Sequence, residues 1–296
     1  MQIIFLGTSC AMPTKERNHI SIFVSYSSEG ILFDCGEGTQ RQLRIAGIKP
    51  TKITKILISH WHGDHTFGLP GLISTLSTSE YTKTLRIYGP KGTKEFIKNI
   101  FKSAVFENRI NLEVIEIKEG VFFNGKDYQL EAYPLKHKTE TLGFRFVEKN
   151  KRRINVPFIK KIGIPEGPLL GKLQEGKSVT WKGKRISVKE ATYTVKGRII
   201  AYLADSIPNK NSLKIAKDAD ILIAESTYTS ELQEKADQYM HMTAKEAGLI
   251  ANQANVKKLI LTHFSTRYKD THVLEEDARN VFDNVEASKD FMKVNL

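Results

Sequence analysis

Ser59-His60-Trp61-His62-Gly63-Asp64-His65 follows directly on the apolar run Ile53-Thr54-Lys55-Ile56-Leu57-Ile58. The run predicts a β-strand, and His60, His62, Asp64 and His65 crowd at its end. In an extended chain residues i and i+2 point to one side, so His60 and His62 can share one cation, while Asp64 and His65 open the next segment and face another. Three imidazoles and a carboxylate held together would repel protons unless a cation organised them. The stretch therefore reads as a metal site with room for two ions, ahead of the plainer reading of a solvated polar turn.

Later strand candidates end on ligand types as well. Tyr133-Pro134-Leu135-Lys136 leads to His137, Ile199–Ala204 to Asp205, and Leu259-Ile260-Leu261-Thr262 to His263. Each alone is a common cap or turn residue, but with the first cluster they supply seven nitrogen and oxygen ligands and no thiolate. Such a set suits two Zn2+ ions, with Mn2+ or Fe2+ as alternatives, one carboxylate bridging and a position left for water. Cys10 and Cys35, the only cysteines, are not in a CxxC spacing and read as small packing residues.

Short apolar strands alternate with helical stretches along the chain, for example Gln2–Leu6, Ser21–Tyr26 and Gly30–Asp34 before a helix over Thr39–Ala46, and Lys52–Ser59 before a helix over His65–Ser77. This predicts a layered α/β fold in one catalytic domain spanning residues 1–296. With 296 residues and 40% hydrophobic content the chain can bury a full core. No stretch reaches the roughly 18 apolar residues of a membrane span, and the start lacks a secretory signal, so a cytoplasmic protein is expected.

The net charge of +12 is uneven. Residues 148–190 carry twelve Lys or Arg against four Glu, whereas the rest of the chain carries 33 basic against 29 acidic residues. The same window is punctuated by Gly and Pro, and Ile162–Lys172 has neither a helical nor a strand period. It reads as a protruding basic arm, the electrostatic footprint of a protein that grips a polyphosphate backbone.

His60, His62, Asp64 and His65 form the HxHxDH signature, and here the chain resembles the metallo-β-lactamase superfamily. Within it, Pro13-Thr14-Lys15-Glu16-Arg17-Asn18 is similar to the PxKxRN loop of the ribonuclease Z family, endonucleases that trim tRNA 3′ ends. Phe33–Thr39, the arm around Gly167 and Pro168, and Thr262–Tyr268 resemble further segments of that family. The resemblance implies a four-layer αββα sandwich, the short form of the enzyme, a homodimer and a tRNA precursor as substrate. It also implies one zinc on His60, His62 and His137, another on Asp64, His65 and His263, and Asp205 bridging.

By the same resemblance Asp64 would both hold its metal and orient or deprotonate the attacking water. His241, in Met240-His241-Met242-Thr243, is the candidate acid for the leaving oxygen, and Glu225 the carboxylate that orients it. Met242 stands where the family often carries serine, leaving Thr243 as a partial substitute. Lys15, Arg17, Gly167, Pro168, Arg267 and Tyr268 are the candidate substrate contacts, while His19 and His272 read as ordinary polar residues. Two rivals remain: a hydrolase of small phosphodiesters or thioesters, against which the basic arm argues, and a metal-stabilised RNA-binding factor without catalysis, against which the complete ligand set argues.

Overall fold

The computed structural model describes residues 1–105 and 108–296. Its larger unit, residues 1–124, 130–146 and 199–296, is built on two seven-stranded sheets. The first runs in the order Lys293–Asn295, Gln2–Gly7, Ser21–Tyr26, Glu29–Phe33, Ile53–Leu57, Thr84–Gly89 and Asn111–Glu116. The second runs Val285–Ala287, Leu259–Thr262, Ile221–Glu225, Ile199–Leu203, Thr141–Glu148, Tyr128–Leu135 and Gly120–Asn124.

Strand side chains alternate between faces, and in both sheets both faces are covered. In the first sheet Ile4, Leu6, Phe23, Leu32, Ile56, Leu85 and Ile87 share a core with Leu43, Leu69, Leu72, Leu76 and Ile97 of the helices Thr39–Ile45, Leu69–Ser77 and Thr93–Ser103. The opposite parity faces the other sheet: Phe33 stacks at 6.1 Å on Phe144 and 5.6 Å on Tyr202, and Tyr26 meets Phe146 at 5.2 Å. The helices Lys210–Ala216, Ala244–Gln253 and His272–Arg279 pack on the second sheet. The layers are thus helix, sheet, sheet, helix, the arrangement that the family resemblance implies.

The strands from Glu29–Phe33 to Asn111–Glu116 pair in parallel, as do those from Ile199–Leu203 to Val285–Ala287. Their carboxyl ends carry Asp34, His60, Asp205, Glu225 and His263, which is where parallel sheets place ligands.

The helix read over His65–Ser77 is in fact two, Gly63–Thr66 and Leu69–Ser77. The break has a packing cause: a Cβ on Gly68 would lie 2.1 Å from the Gly36 carbonyl oxygen, so two backbones touch there. Apolar periodicity does not register such a contact. Three strands without a strong pattern, Gly120–Asn124, Val285–Ala287 and Lys293–Asn295, lie at sheet edges.

The smaller unit comprises residues 125–129 and 147–198. Lys151–Ile154 pairs antiparallel with Thr192–Val195, and Val179–Trp181 with Lys184–Ile186. The short helices Val156–Ile162, Pro168–Gln174 and Val188–Ala191 complete a core of Ile159, Ile164, Leu173, Val179, Ile186 and Ala191. Asn155 caps the first helix through Phe158 N, and Gly163, at φ 70°, ends it in the left-handed conformation. Gly167, at φ 150°, precedes Pro168 at the start of the next helix. Elements of three to seven residues are too short to show a period, which is why this window lacks a pattern in the sequence. Among the described residues, no helix is long and apolar enough to cross a membrane.

Candidate metal centre and cleft

All seven predicted ligands come together. Ligand atoms of His60, His62, His137 and Asp205 lie within 4.8 Å of one another, and so do those of Asp64, His65 and His263. Asp205 stands between the groups: Oδ2 is 3.8 Å from His60 Nε2, while Oδ1 is 3.4 Å from His65 Nε2 and 3.3 Å from His263 Nε2.

The geometry is produced by strand ends that turn sharply. Asp34 and His263, each the first residue after a strand, have φ of 57° and 62°, and Ala11 and Met240 beside the cleft have φ of 53° and 57°. Left-handed backbone is uncommon for residues with a Cβ and is held only where the surroundings enforce it, often at functional sites.

Outer partners fix how each imidazole faces. Nδ1 of His60 meets Ser59 Oγ at 3.0 Å, that of His65 meets Asp34 at 2.8 Å, that of His137 meets the Met240 carbonyl at 2.9 Å, and that of His263 meets Thr227 Oγ1 at 3.1 Å. Each therefore turns Nε2 inward, as outer partners of metal-binding histidines do. His62 instead presents Nδ1, 2.9 Å from His60 Nε2 and 3.4 Å from His137 Nε2. Inward nitrogens that face only one another and the carboxylates are poorly satisfied, and Asp205 Oδ1 is buried with no hydrogen-bond partner among the described residues. This donor set, imidazole and carboxylate with braced outer atoms, fits divalent cations.

The electrostatics divide the cluster in two. Burial, with His65 adding, holds His60 well below the ordinary imidazole pKa, and burial also lowers His62 and His137. For His65 burial opposes the charge, yet Asp205, Asp64 and Asp34 together raise its pKa well above the ordinary value. Burial likewise opposes the charge of His263, but Asp205, Cys10 and Asp64 together outweigh it and raise its pKa well above the ordinary value. Asp205 and Asp64 are held well below the usual carboxylate range, against their own burial, by His263 and His65.

A cleft of about 540 Å³ opens on this cluster, lined among others by Cys10, His62, Asp64, His137, Asp205 and His241. His241 Nδ1 lies 3.2 Å from Glu225 Oε1. That oxygen also accepts from Ser206 N at 2.8 Å and Met242 N at 3.0 Å, so Glu225 is rigidly placed. Burial works against a charge on His241, but Glu225, joined by Asp205, offsets it and raises the pKa. Met242 is buried, and the Thr243 hydroxyl is occupied in a capping box with Glu246, so neither offers a free hydroxyl to the cleft. His19, also a lining residue, meets the Ala11 carbonyl through Nε2 at 3.2 Å.

The predicted substrate contacts are placed less centrally. Arg17 is buried, donates to the Ser265 carbonyl at 3.3 Å and lies over the Phe264 ring. Lys15 lines a separate cavity of about 820 Å³ with Arg17, Lys269 and Lys289. Arg267 sits over the Tyr228 ring, and the Tyr268 hydroxyl accepts from Thr229 N at 2.9 Å. Gly167 and Pro168 belong to the smaller unit.

Sequence reading passes over Asp34 and Thr227. Asp34 accepts from Ser59 N, Ser59 Oγ, His65 Nδ1 and Tyr202 Oη at 2.7–2.9 Å, and Thr227 Oγ1 donates to Glu225 at 2.6 Å while touching His263. A signal for Asp34 is present in the sequence, an acidic residue closing an apolar strand, as with Asp205.

A family model described as anti-Pycsar protein Apyc1 matches residues 1–154, which contain His60 to His137 but not Asp205, Glu225, His241 or His263. Full-length matches reach those residues. The ribonuclease Z of Methanothermobacter thermautotrophicus is 41% identical, covering 100% of this chain and 97% of that one. The crystal structure of the short form of human tRNase Z superposes with a TM-score of 0.73 at 28% identity, covering 100% and 99% of the two chains. The metallo-β-lactamase fold protein YhfI from Bacillus subtilis, at 17% identity, has a TM-score of 0.73 over 99% and 98%, a likeness of fold. Since a relative 41% identical matches along the whole of this chain, the chain belongs to the ribonuclease Z family.

Proposed function

We propose that this chain is a metal-dependent endoribonuclease that cuts tRNA precursors 3′ of the discriminator nucleotide, releasing the 3′ trailer and leaving a tRNA 3′-hydroxyl. The observation that carries the reading is the meeting of two ligand clusters at one carboxylate, Asp205, beside an imidazole braced by Glu225. His60, His62 and His137 would hold one zinc, Asp64, His65 and His263 a second, and Asp205 both. The imidazole-rich, thiolate-free set favours zinc, with manganese or iron the alternatives. Two such cations would supply Lewis acidity, lowering the pKa of a water from about 15.7 to roughly 7 and shielding charge on the phosphate.

The chain's own groups do the positioning and proton transfer. Asp64 Oδ2 is fixed by Ala11 N–H at 2.8 Å, which leaves Oδ1 to orient the attacking water and take its proton. As the water oxygen bonds to phosphorus, the P–O3′ bond breaks and O3′ departs with negative charge. Glu225 engages Nδ1 of His241, so Nε2–H is the proton available to O3′. Removing it by His241→Ala should lower kcat by about 10²–10⁴-fold.

The basic smaller unit supplies the attraction for the folded tRNA body, with Gly167 and Pro168 in the part that would meet it and Lys15, Arg17, Arg267 and Tyr268 near the cut strand. From the family resemblance the working form is a cytoplasmic homodimer in which one subunit's arm serves the other's cleft. The test is purified chain incubated with a 3′-extended tRNA, with the new end mapped. Cleavage after the discriminator that is lost in EDTA and restored by Zn2+ supports the reading. A metal-loaded chain that binds the precursor and never cuts it is an RNA-binding factor instead.

A further inference from the structure

We infer that an apolar groove beside the metal cleft binds an unstacked nucleobase of the single-stranded 3′ trailer, with Phe67 as the ring over which the strand passes from the cleft into the groove. The inference rests on the nuclease reading above. Phe67 is 68% exposed, far more than burial of an aromatic ring would favour, and Phe96 is 46% exposed. Between them lies a groove of about 360 Å³ in which Trp61 and Phe96 stack at 4.7 Å with their planes 14° apart. Thr66, Pro70, Asn99, Ile100 and Ser103 complete its walls, and among the described residues no carboxylate lines it.

Two features make this a built surface. Trp61 is fixed by its Nε1 donating to Thr93 Oγ1 at 2.9 Å, so the flat pair keeps its orientation. The Phe67 ring lies against the backbone of Gly63, where a Cβ would come within 2.4 Å of ring atom Cε2. Gly63 sits between the ligands His62 and Asp64, and the ring is therefore positioned by the loop that positions the metals.

Continuity selects the occupant. Phe67 lines the metal cleft as well as the groove, so a strand whose phosphate sits at the ligands has this ring as its neighbour. A trailer is single-stranded there, and every base offers a π face to an aromatic platform, whatever its identity. Asn99 adds an amide that can meet a base edge.

The test compares the parent chain with F67L, which keeps bulk but loses the π face, and with F67Y and F67W, which restore it. Substrates are a 3′-extended tRNA and versions with one abasic nucleotide placed in turn at the first three trailer positions. In the parent, one abasic position should raise KM roughly tenfold; F67L should show a similar rise with the intact substrate and no further response to that lesion, while F67Y and F67W stay near the parent. In a W181F background Trp61 is the sole tryptophan, and its fluorescence should be quenched by the extended tRNA but not by tRNA ending at the discriminator. A parent that cuts yet is as indifferent to abasic trailers as F67L overturns this inference and leaves the nuclease reading standing. A loss of dimer mass on light scattering in F67L or F96A would assign the face to a second copy, again overturning it. A parent that cuts no 3′-extended tRNA overturns both.

Discussion

At Asp34 four donors meet one carboxylate that no solvent reaches, and one of them is Nδ1 of the ligand His65. The carboxylate fixes the tautomer and tilt of that ring and makes Nε2 a better donor. Asp34→Asn replaces one accepting oxygen by an amide NH2 group that faces other donors, so His65 loses its brace while the remaining ligands stay. Metal affinity at the Asp64–His65–His263 cluster should fall about 10–100-fold, read by competition with a chromophoric chelator. Unchanged affinity would mean that the strand end alone orients His65. Asp290 poses a different residue-scale test. Its carboxylate accepts from Thr8 Oγ1 at 2.9 Å and Asn18 N at 2.8 Å, tying down the loop that carries Lys15 and Arg17, yet burial pushes its pKa up from 3.8 to about 6. An acid with a raised folded-state pKa favours folding below pH 3.8 and loses that contribution as the pH rises through about 6. Asp290→Asn should therefore gain stability relative to the parent between pH 4 and pH 7.5, on the order of 2–3 kcal/mol, in paired thermal or denaturant melts. A difference between the two proteins that is flat with pH would show that the hydrogen bonds cancel the cost of burial.

The elements that carry the ligands are held by close backbone contact as much as by apolar packing. Gly68 N donates to the Cys35 carbonyl at 2.9 Å, and any Cβ at Gly68 would strike the Gly36 carbonyl at 2.1 Å. Gly68→Ala should force the Gly63–Thr66 turn away from the Cys35–Gly36 segment, costing about 1–3 kcal/mol, with a lower Tm and weaker metal binding moving together. Retained metal affinity at a lower Tm would locate the strain elsewhere. This contact also marks where sequence reading stops. The two ligand clusters are legible because the ligands follow closely on the ends of apolar strands, a local pattern repeated from His60 to His263. The helix break at Phe67–Gly68 is not, because it depends on two glycines more than thirty positions apart. Asp34 and Thr227 lie in plain view as residue types, but only convergence in space shows that they brace His65 and His263. The short elements of residues 147–198 are hidden for a simpler reason, since three to seven residues hold too few turns to reveal a period.

At the scale of the whole molecule, charge and chemistry are carried by different stretches of chain. The ligands, His241 and Glu225 all belong to the larger unit, whereas residues 148–190 hold twelve of the chain's 45 basic residues. Lys151 and Val195 are partners in an antiparallel pair, so replacing residues 151–195 by a two-residue Asn-Gly turn spans a gap that the backbone already closes. The smaller unit has an apolar core of its own, built from Ile159, Ile164, Leu173, Val179, Ile186 and Ala191. The shortened chain should hydrolyse a small diester such as bis(p-nitrophenyl) phosphate at the parent rate, because that substrate needs only the cleft. Binding of a tRNA precursor should weaken steeply at low salt, and the slope of log affinity against log salt should become shallower by roughly 0.7–0.9 for every phosphate that the shortened chain no longer neutralises. Equal loss of both activities would place the basic segment in the catalytic centre itself, and an unchanged salt slope would assign the phosphate contacts to Lys15, Lys269 and Lys289 around the second cavity.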